Sequence, residues 1–136
     1  MAGGITVSAE LSSLPGVLAY ITDALQALGL SPKAVQEMEL AVDEAVTNIV
    51  LHGYAGTEGW VRLSCELADE GAGVVVVIED TAPPFDPTAA PSPDLEGDAD
   101  ERPIGGLGVH FIRTMTDEMT YECRDGINVL KLLKNV

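Results

Sequence analysis

ELAVDEAVTNIVLHGY, Glu39 to Tyr54, is the stretch that decides how this chain is read. At about 100° per residue, Glu37, Ala41, Glu44, Asn48 and His52 fall in one narrow helical row, with Met38, Ala45 and Ile49 on one side and Leu40 and Leu51 on the other. The row is therefore expected to be partly desolvated. A carboxylate and an amide buried there without partners are costly, so something must satisfy them, and a ligand is one answer. Taken alone, an E-x-x-x-N spacing also fits a solvated polar face. His52 lies near the expected helix end, where an imidazole can bond free carbonyls, and no catalytic role is assigned to it.

Outward from this stretch, Ser31-Pro32 opens the helix with a cap-then-proline signal and Gly53 is expected to stop it. Before it, residues 4–9 look like a short strand. Ser12 or Ser13 can cap a first helix from Leu14-Pro15, which Gly29 should end. Val61 to Leu67 and Val74 to Glu79 are β-branched and separated by a turn-rich segment, so they predict a hairpin whose second strand is central. PPFDPTAAPSPDLEGDADERP, Pro83 to Pro103, is too rich in proline and acid for packed structure and predicts a mobile loop. GGLGVHFIRTM follows as a glycine turn feeding a short helix, and DEMTYECRDGINVLKLL as two strands joined at Arg124-Asp125-Gly126. The order β, α, α, β, β, loop, α, β, β predicts an α/β two-layer sandwich, a mostly antiparallel mixed sheet with helices on one face. One domain over 1–136 suffices, and its core needs neither disulfide nor structural metal.

Charge narrows the chemistry. Seven basic residues against 22 acidic ones leave a formal charge of −15, which repels phosphate backbones and argues against direct nucleic-acid binding. Any bound polyphosphate must be neutralised mainly by a metal ion and backbone N–H groups. Cys65 and Cys123 have neither metal-ligand nor C-x-x-C spacing and sit in apolar, strand-like runs, so both are expected to behave as small hydrophobes in a reducing cytoplasm. The longest purely apolar run, Val74 to Ile78, is far too short to cross a bilayer, and no membrane role is expected.

Two further signals accompany the helical row. Asp80, just past the central strand and followed by a proline turn and Phe85, presents a carboxylate that can accept from a planar amino group such as that of adenine. An ordinary acidic turn would look the same. Gly105-Gly106-Leu107-Gly108 at a helix start offers bare N–H groups and the positive end of a helix dipole to phosphate, although a lone GxG also fits a flexible turn. No Lys-[Ser/Thr] follows, so this is not a P-loop.

Together, EAVTNIVLHGY, DTAPPFDP and GGLGVHFI resemble the N, G1 and G2 boxes of the GHKL ATP-binding superfamily, and within it the chain resembles the bacterial anti-sigma-factor serine/threonine kinases over nearly its whole length. The resemblance implies a Bergerat fold binding ATP and Mg²⁺. It implies that Asn48 ligates Mg²⁺, that Glu44 is the catalytic base and that Asp80 binds adenine beside Ala82 and Phe85. Gly105, Gly106, Leu107, Gly108 and Val109 are expected at the nucleotide, and a lid at about 83–104 would order over the triphosphate. It further implies a serine on a STAS-type anti-sigma-factor antagonist as substrate, a sigma factor as second partner, and room for the homodimer common among relatives. A nucleotide-gated binding module that does not phosphorylate is the alternative. A detached sensor-kinase ATPase domain lacks its phosphoacceptor histidine here, and a topoisomerase-like enzyme lacks residues for a second domain.

The chain also departs from the pattern. Asp80-Thr81-Ala82 replaces the usual Asp-x-Gly, which places a methyl group where backbone normally approaches the base. Gly126-Ile127-Asn128 replaces a Gly-Thr pair, so the polar contact to the base side falls to Asn128. The lid carries Asp94, Glu96, Asp98, Asp100 and Glu101 against Arg102 alone. In the first helix, Tyr20 and Asp23 stand in place of the basic residue that relatives often use for partner docking.

Overall fold

The structure, a computed structural model, describes residues 4–68, 73–84 and 112–135. Strand β1 (Ile5–Ser8) leads through a 3-10 turn into helix α1 (Leu14–Ala27), followed by α2 (Pro32–Asn48), β2 (Trp60–Leu67), β3 (Gly73–Asp80), β4 (Glu118–Arg124) and β5 (Ile127–Asn135). The five strands form one sheet in the order β1-β2-β3-β5-β4, with β3 at its centre as expected. Every pairing among them is antiparallel, so the expected mostly antiparallel sheet has no parallel pair among its described strands.

Both helices cover one face of the sheet. In α1 the buried residues Val17, Ile21 and Leu25 recur every four positions, the stripe an amphipathic helix turns inward. Gly29 ends α1 with φ 94°, and the Leu30 N–H bonds back to the Leu25 carbonyl at 3.2 Å, the left-handed glycine ending expected there. Ser31 caps α2 by accepting from the Ala34 N–H at 3.2 Å, and Pro32 stands in the first turn. Met38, Ala41, Val42, Ala45 and Val46 of α2 meet Leu63 and Cys65 of β2, Val76 and Ile78 of β3, and Leu132 of β5 in a single core.

The last hairpin turns at Asp125 and Gly126, with φ values of 54° and 80°. Those angles suit the right-handed twist of the flanking strands. Cys65 is buried, which pushes its thiol up to about 11. Cys123, expected in an apolar setting, is exposed on edge strand β4. No described helix is long and apolar enough to cross a membrane.

Two expectations about the second helix need correction. Gly53 does not stop it: after Asn48 the chain continues as a π-helical turn over Ile49–Tyr54, and the break comes at Ala55 and Gly56, with φ 52° and 89°. Gly53 stands instead at a close approach, since a Cβ there would lie 3.1 Å from the Ala82 methyl. The flank of Leu40 and Leu51 is not apolar cover either, as these residues are 38% and 46% exposed. The polar row therefore runs along the border between core and solvent, with Glu37, Glu44 and Asn48 half-buried.

Tyr54, at the end of the π turn, ties this region together. Its hydroxyl donates to the Trp60 carbonyl at 2.7 Å and accepts from the Thr81 N–H at 2.9 Å. Its ring leaves no room at Gly59, where a Cβ would lie 2.1 Å from a ring carbon. Gly59→Ala is therefore expected to cost about 2–3 kcal/mol in urea unfolding through overpacking and the displaced hydroxyl; a variant as stable as wild type would show that the ring moves freely.

Candidate functional site

A cavity of about 310 Å³ opens at the end of β3, walled by α2 and its π turn on one side and by β4, β5 and Ile112 on the other. Its walls are mainly apolar, with Ala45, Ile49, Ala82, Ile112 and Leu130 among them, and its polar groups are few: Asn48, His52, Asp80, Tyr121 and Asn128. A concave apolar site with a few placed polar groups is the usual form of a small-molecule pocket. It can hold a flat, largely apolar body and fix its orientation at one edge.

Asp80 is that edge. It is 5% exposed, in register with Val61 of β2 and Asn128 of β5. Its Oδ1 accepts two hydrogen bonds, from the Ala82 N–H at 2.9 Å and from Asn128 Nδ2 at 2.8 Å. Among the described residues Oδ2 has no partner. Burial pushes the carboxyl above its usual range, against the opposing pull of the Asn128 and Ala82 hydrogen bonds. A buried carboxylate oxygen without a partner among the described residues is suited to receive an N–H donor from a ligand.

Asn48 lines the same cavity from the last turn of α2, and its side chain makes no hydrogen bond among the described residues. No Lys or Arg is among the lining residues described. Lys134, the one partly buried lysine, pairs with Glu37 at 3.1 Å and donates to the Met115 carbonyl at 2.9 Å, so it is committed elsewhere. No group of three or more His, Cys, Asp or Glu that could hold a metal occurs among the described residues. The donor set fits a cation that arrives with its own oxygens, such as Mg²⁺ on phosphates, with Asn48 adding one hard amide oxygen.

Glu44 lies one helical turn before Asn48, half-buried and outside the cavity lining. Desolvation, and then the neighbouring charge of Asp43, raise its carboxyl above the usual glutamate range, the direction that suits a base working near neutrality.

The structure thus brings Asn48, Asp80, Ala82 and Asn128 to one cavity and leaves Glu44 beside it. Phe85, Gly105, Gly106, Leu107, Gly108 and Val109 lie outside the described residues, as does nearly all of the expected lid at 83–104. The sequence reading missed Tyr121 and Tyr54. Tyr121 sits diagonal to Asn128 across the β4–β5 pair, a contact that strand alternation could have suggested. Tyr54 reaches Thr81, 27 residues away, which no local pattern announces.

Comparison with known proteins agrees with this geometry. The family profile described as the histidine kinase-like ATPase domain matches residues 7–134. Among curated relatives, the anti-sigma F factor of Clostridium novyi (strain NT) is 29% identical over 97% of this chain and 85% of its own length. The serine-protein kinase RsbW of Staphylococcus epidermidis is 30% identical over 92% of this chain and 80% of its own. The serine/threonine-protein kinase BtrW of Bordetella bronchiseptica is 34% identical over 70% of this chain and 66% of its own. In fold, the chain is similar to the crystal structure of the RsbU and RsbW domains of Rv1364c from Mycobacterium tuberculosis, with a TM-score of 0.65 and 20% identity, spanning 32% of that longer chain.

Proposed function

We infer the function from one premise: this chain belongs to the histidine kinase-like ATPase domain family, in its branch of anti-sigma-factor serine/threonine kinases. It is an ATP-using protein kinase of a partner-switching pair, phosphorylating a serine on an anti-sigma-factor antagonist and in its other state holding a sigma factor. The antagonist is of the STAS type, and the compartment is the cytoplasm, where free Cys65 and Cys123 stay reduced. One observation carries the nucleotide reading: a buried carboxylate and a carboxamide, one oxygen of the first and the whole of the second without a partner among the described residues, meet in one apolar cavity.

In this reading the apolar walls hold adenine, Asp80 Oδ2 accepts from its exocyclic amine, and Asn48 directs an amide oxygen toward the metal on the phosphates. Mg²⁺, when bound, offsets the triphosphate charge that a chain of net charge −15 cannot. Glu44 accepts the proton of the incoming serine hydroxyl as the serine oxygen bonds to the γ-phosphorus; the bond from that phosphorus to the bridging oxygen breaks and ADP leaves. A raised Glu44 pKa strengthens it as a base while solvent access lets a protein substrate reach it.

A second reading, a nucleotide-gated binding module without transfer, rests on the position of Glu44 outside the cavity lining. Incubating the full chain with γ-labelled Mg-ATP and a STAS-type anti-sigma-factor antagonist separates the two, since only the kinase moves label to serine. Glu44→Ala is expected to keep wild-type nucleotide affinity and to lose ~10²–10⁴-fold in transfer rate. Transfer at the wild-type rate by this variant would remove Glu44 from the mechanism.

A further inference from the structure

The hydrogen bonds behind Asp80 form a directed chain. Tyr121 Oη donates to Asn128 Oδ1. Asn128 Nδ2 then donates both of its hydrogens, one to Asp80 Oδ1 at 2.8 Å and one to the Ala82 carbonyl at 2.8 Å. The polarity is enforced: a flipped amide would set its oxygen against a carboxylate and a carbonyl, three acceptors with no proton between them. Asn128 is 5% exposed, so such a flip could not be relieved by water. With both amide hydrogens spent, Asn128 has no donor left for a ligand, although it lines the cavity.

Resting on the nucleotide reading above, we propose that Tyr121 and Asn128 are positioning residues that set the base specificity of the cavity. They hold Asp80 Oδ1 from behind and thereby aim Oδ2 forward as a fixed acceptor. The relay selects purines carrying an amine where they face Asp80 and disfavours those carrying a carbonyl there. It takes the place of a direct polar contact from residue 128 to the base. The Tyr121 hydroxyl matters because a donor on the amide oxygen strengthens the amide N–H groups that grip Asp80.

The test compares the full chain with Tyr121→Phe, which keeps the ring and removes only the hydroxyl, by titration calorimetry in magnesium with ATP and with purine riboside triphosphate, which lacks the exocyclic amine. Wild type should prefer ATP. Tyr121→Phe should bind ATP about 3–10-fold more weakly, the loss of one neutral hydrogen bond, and purine riboside triphosphate with unchanged affinity. Tyr121→Leu, which removes the wall as well as the hydroxyl, should weaken both ligands, and ATP by the larger factor. Asn128→Ala should repeat the ATP-selective loss on a larger scale, and it serves if Tyr121→Phe melts early. Equal weakening of both ligands by Tyr121→Phe and Asn128→Ala, or no change in either, would overturn the relay while leaving the nucleotide site intact. A wild-type chain that binds neither triphosphate would overturn the nucleotide reading and the relay with it.

Discussion

Replacing Asn48 with alanine is expected to reduce Mg-ATP affinity by ~100-fold or more, about 2.7 kcal/mol, on the proposed reading in which this cavity-lining carboxamide supplies a hard oxygen to a phosphate-bound cation. The fold should survive: Asn48 makes no side-chain hydrogen bond among the described residues, and alanine favours the helix it ends. The loss should also be specific to magnesium. Titration with ATP in EDTA is expected to give the same weak affinity for variant and wild type, so the two proteins differ only when the metal is supplied. Wild-type Mg-ATP binding by Asn48→Ala would take the cation, and the mechanism built around it, away from this residue.

The second large effect is expected at Asp80. In Asp80→Asn, the donors at the Ala82 N–H and Asn128 Nδ2 still require an acceptor, so the new side chain must turn its oxygen toward them and its NH₂ toward the cavity. That NH₂ opposes the amine of adenine and complements a carbonyl. The variant should therefore lose ~100-fold or more in ATP affinity and bind inosine or guanosine triphosphate better than ATP, since unpaired polar groups in a buried site discriminate strongly. Competition among the three triphosphates reads this directly, and an unchanged order of preference would exclude Asp80 from base recognition.

Acid should act on the wild type in the same direction as this substitution. Protonation places a donor on Asp80, and because burial raises its pKa, ATP binding should weaken at a higher pH than an ordinary aspartate would require. The stability of the empty protein runs the other way. A carboxyl with a raised folded pKa contributes stability that is fully present below the unfolded value of 3.8 and is lost as pH rises through the folded one. Wild-type stability relative to Asp80→Asn should accordingly fall in urea unfolding as pH rises above the unfolded value of 3.8.

Much of the fold was legible in the residues because it depends on local chemistry. Ser31-Pro32 announces a capped helix start, Gly29 a left-handed helix end, Asp125-Gly126 a tight hairpin and Val74 to Ile78 a central strand, and each stands where those signals put it. Gly53 misled for an instructive reason. A glycine after a helical row reads as a stop, but here it serves a close approach to Ala82, a residue on a different element, while the helix widens into a π turn and runs on to Tyr54. Leu51 misled similarly, since helical periodicity describes which residues share a face and not what covers that face.

The sequence by itself determined the chemical inventory: a carboxylate row with one amide on a long helix, an acid after the central strand, and too little positive charge to hold polyphosphate unaided. Those properties belong to residue types and spacings, which the chain carries with it unfolded. Only the tertiary structure decided what each group faces. It joined Asp80, Ala82, Asn128 and Tyr121 in one hydrogen-bonded chain, left Asp80 Oδ2 without a partner among the described residues, and set Glu44 outside the described lining of the cavity that Asn48 lines. Hydrogen-bond direction and burial depend on pairings up to 48 residues apart, and these exist only once β3, β5 and β4 lie side by side.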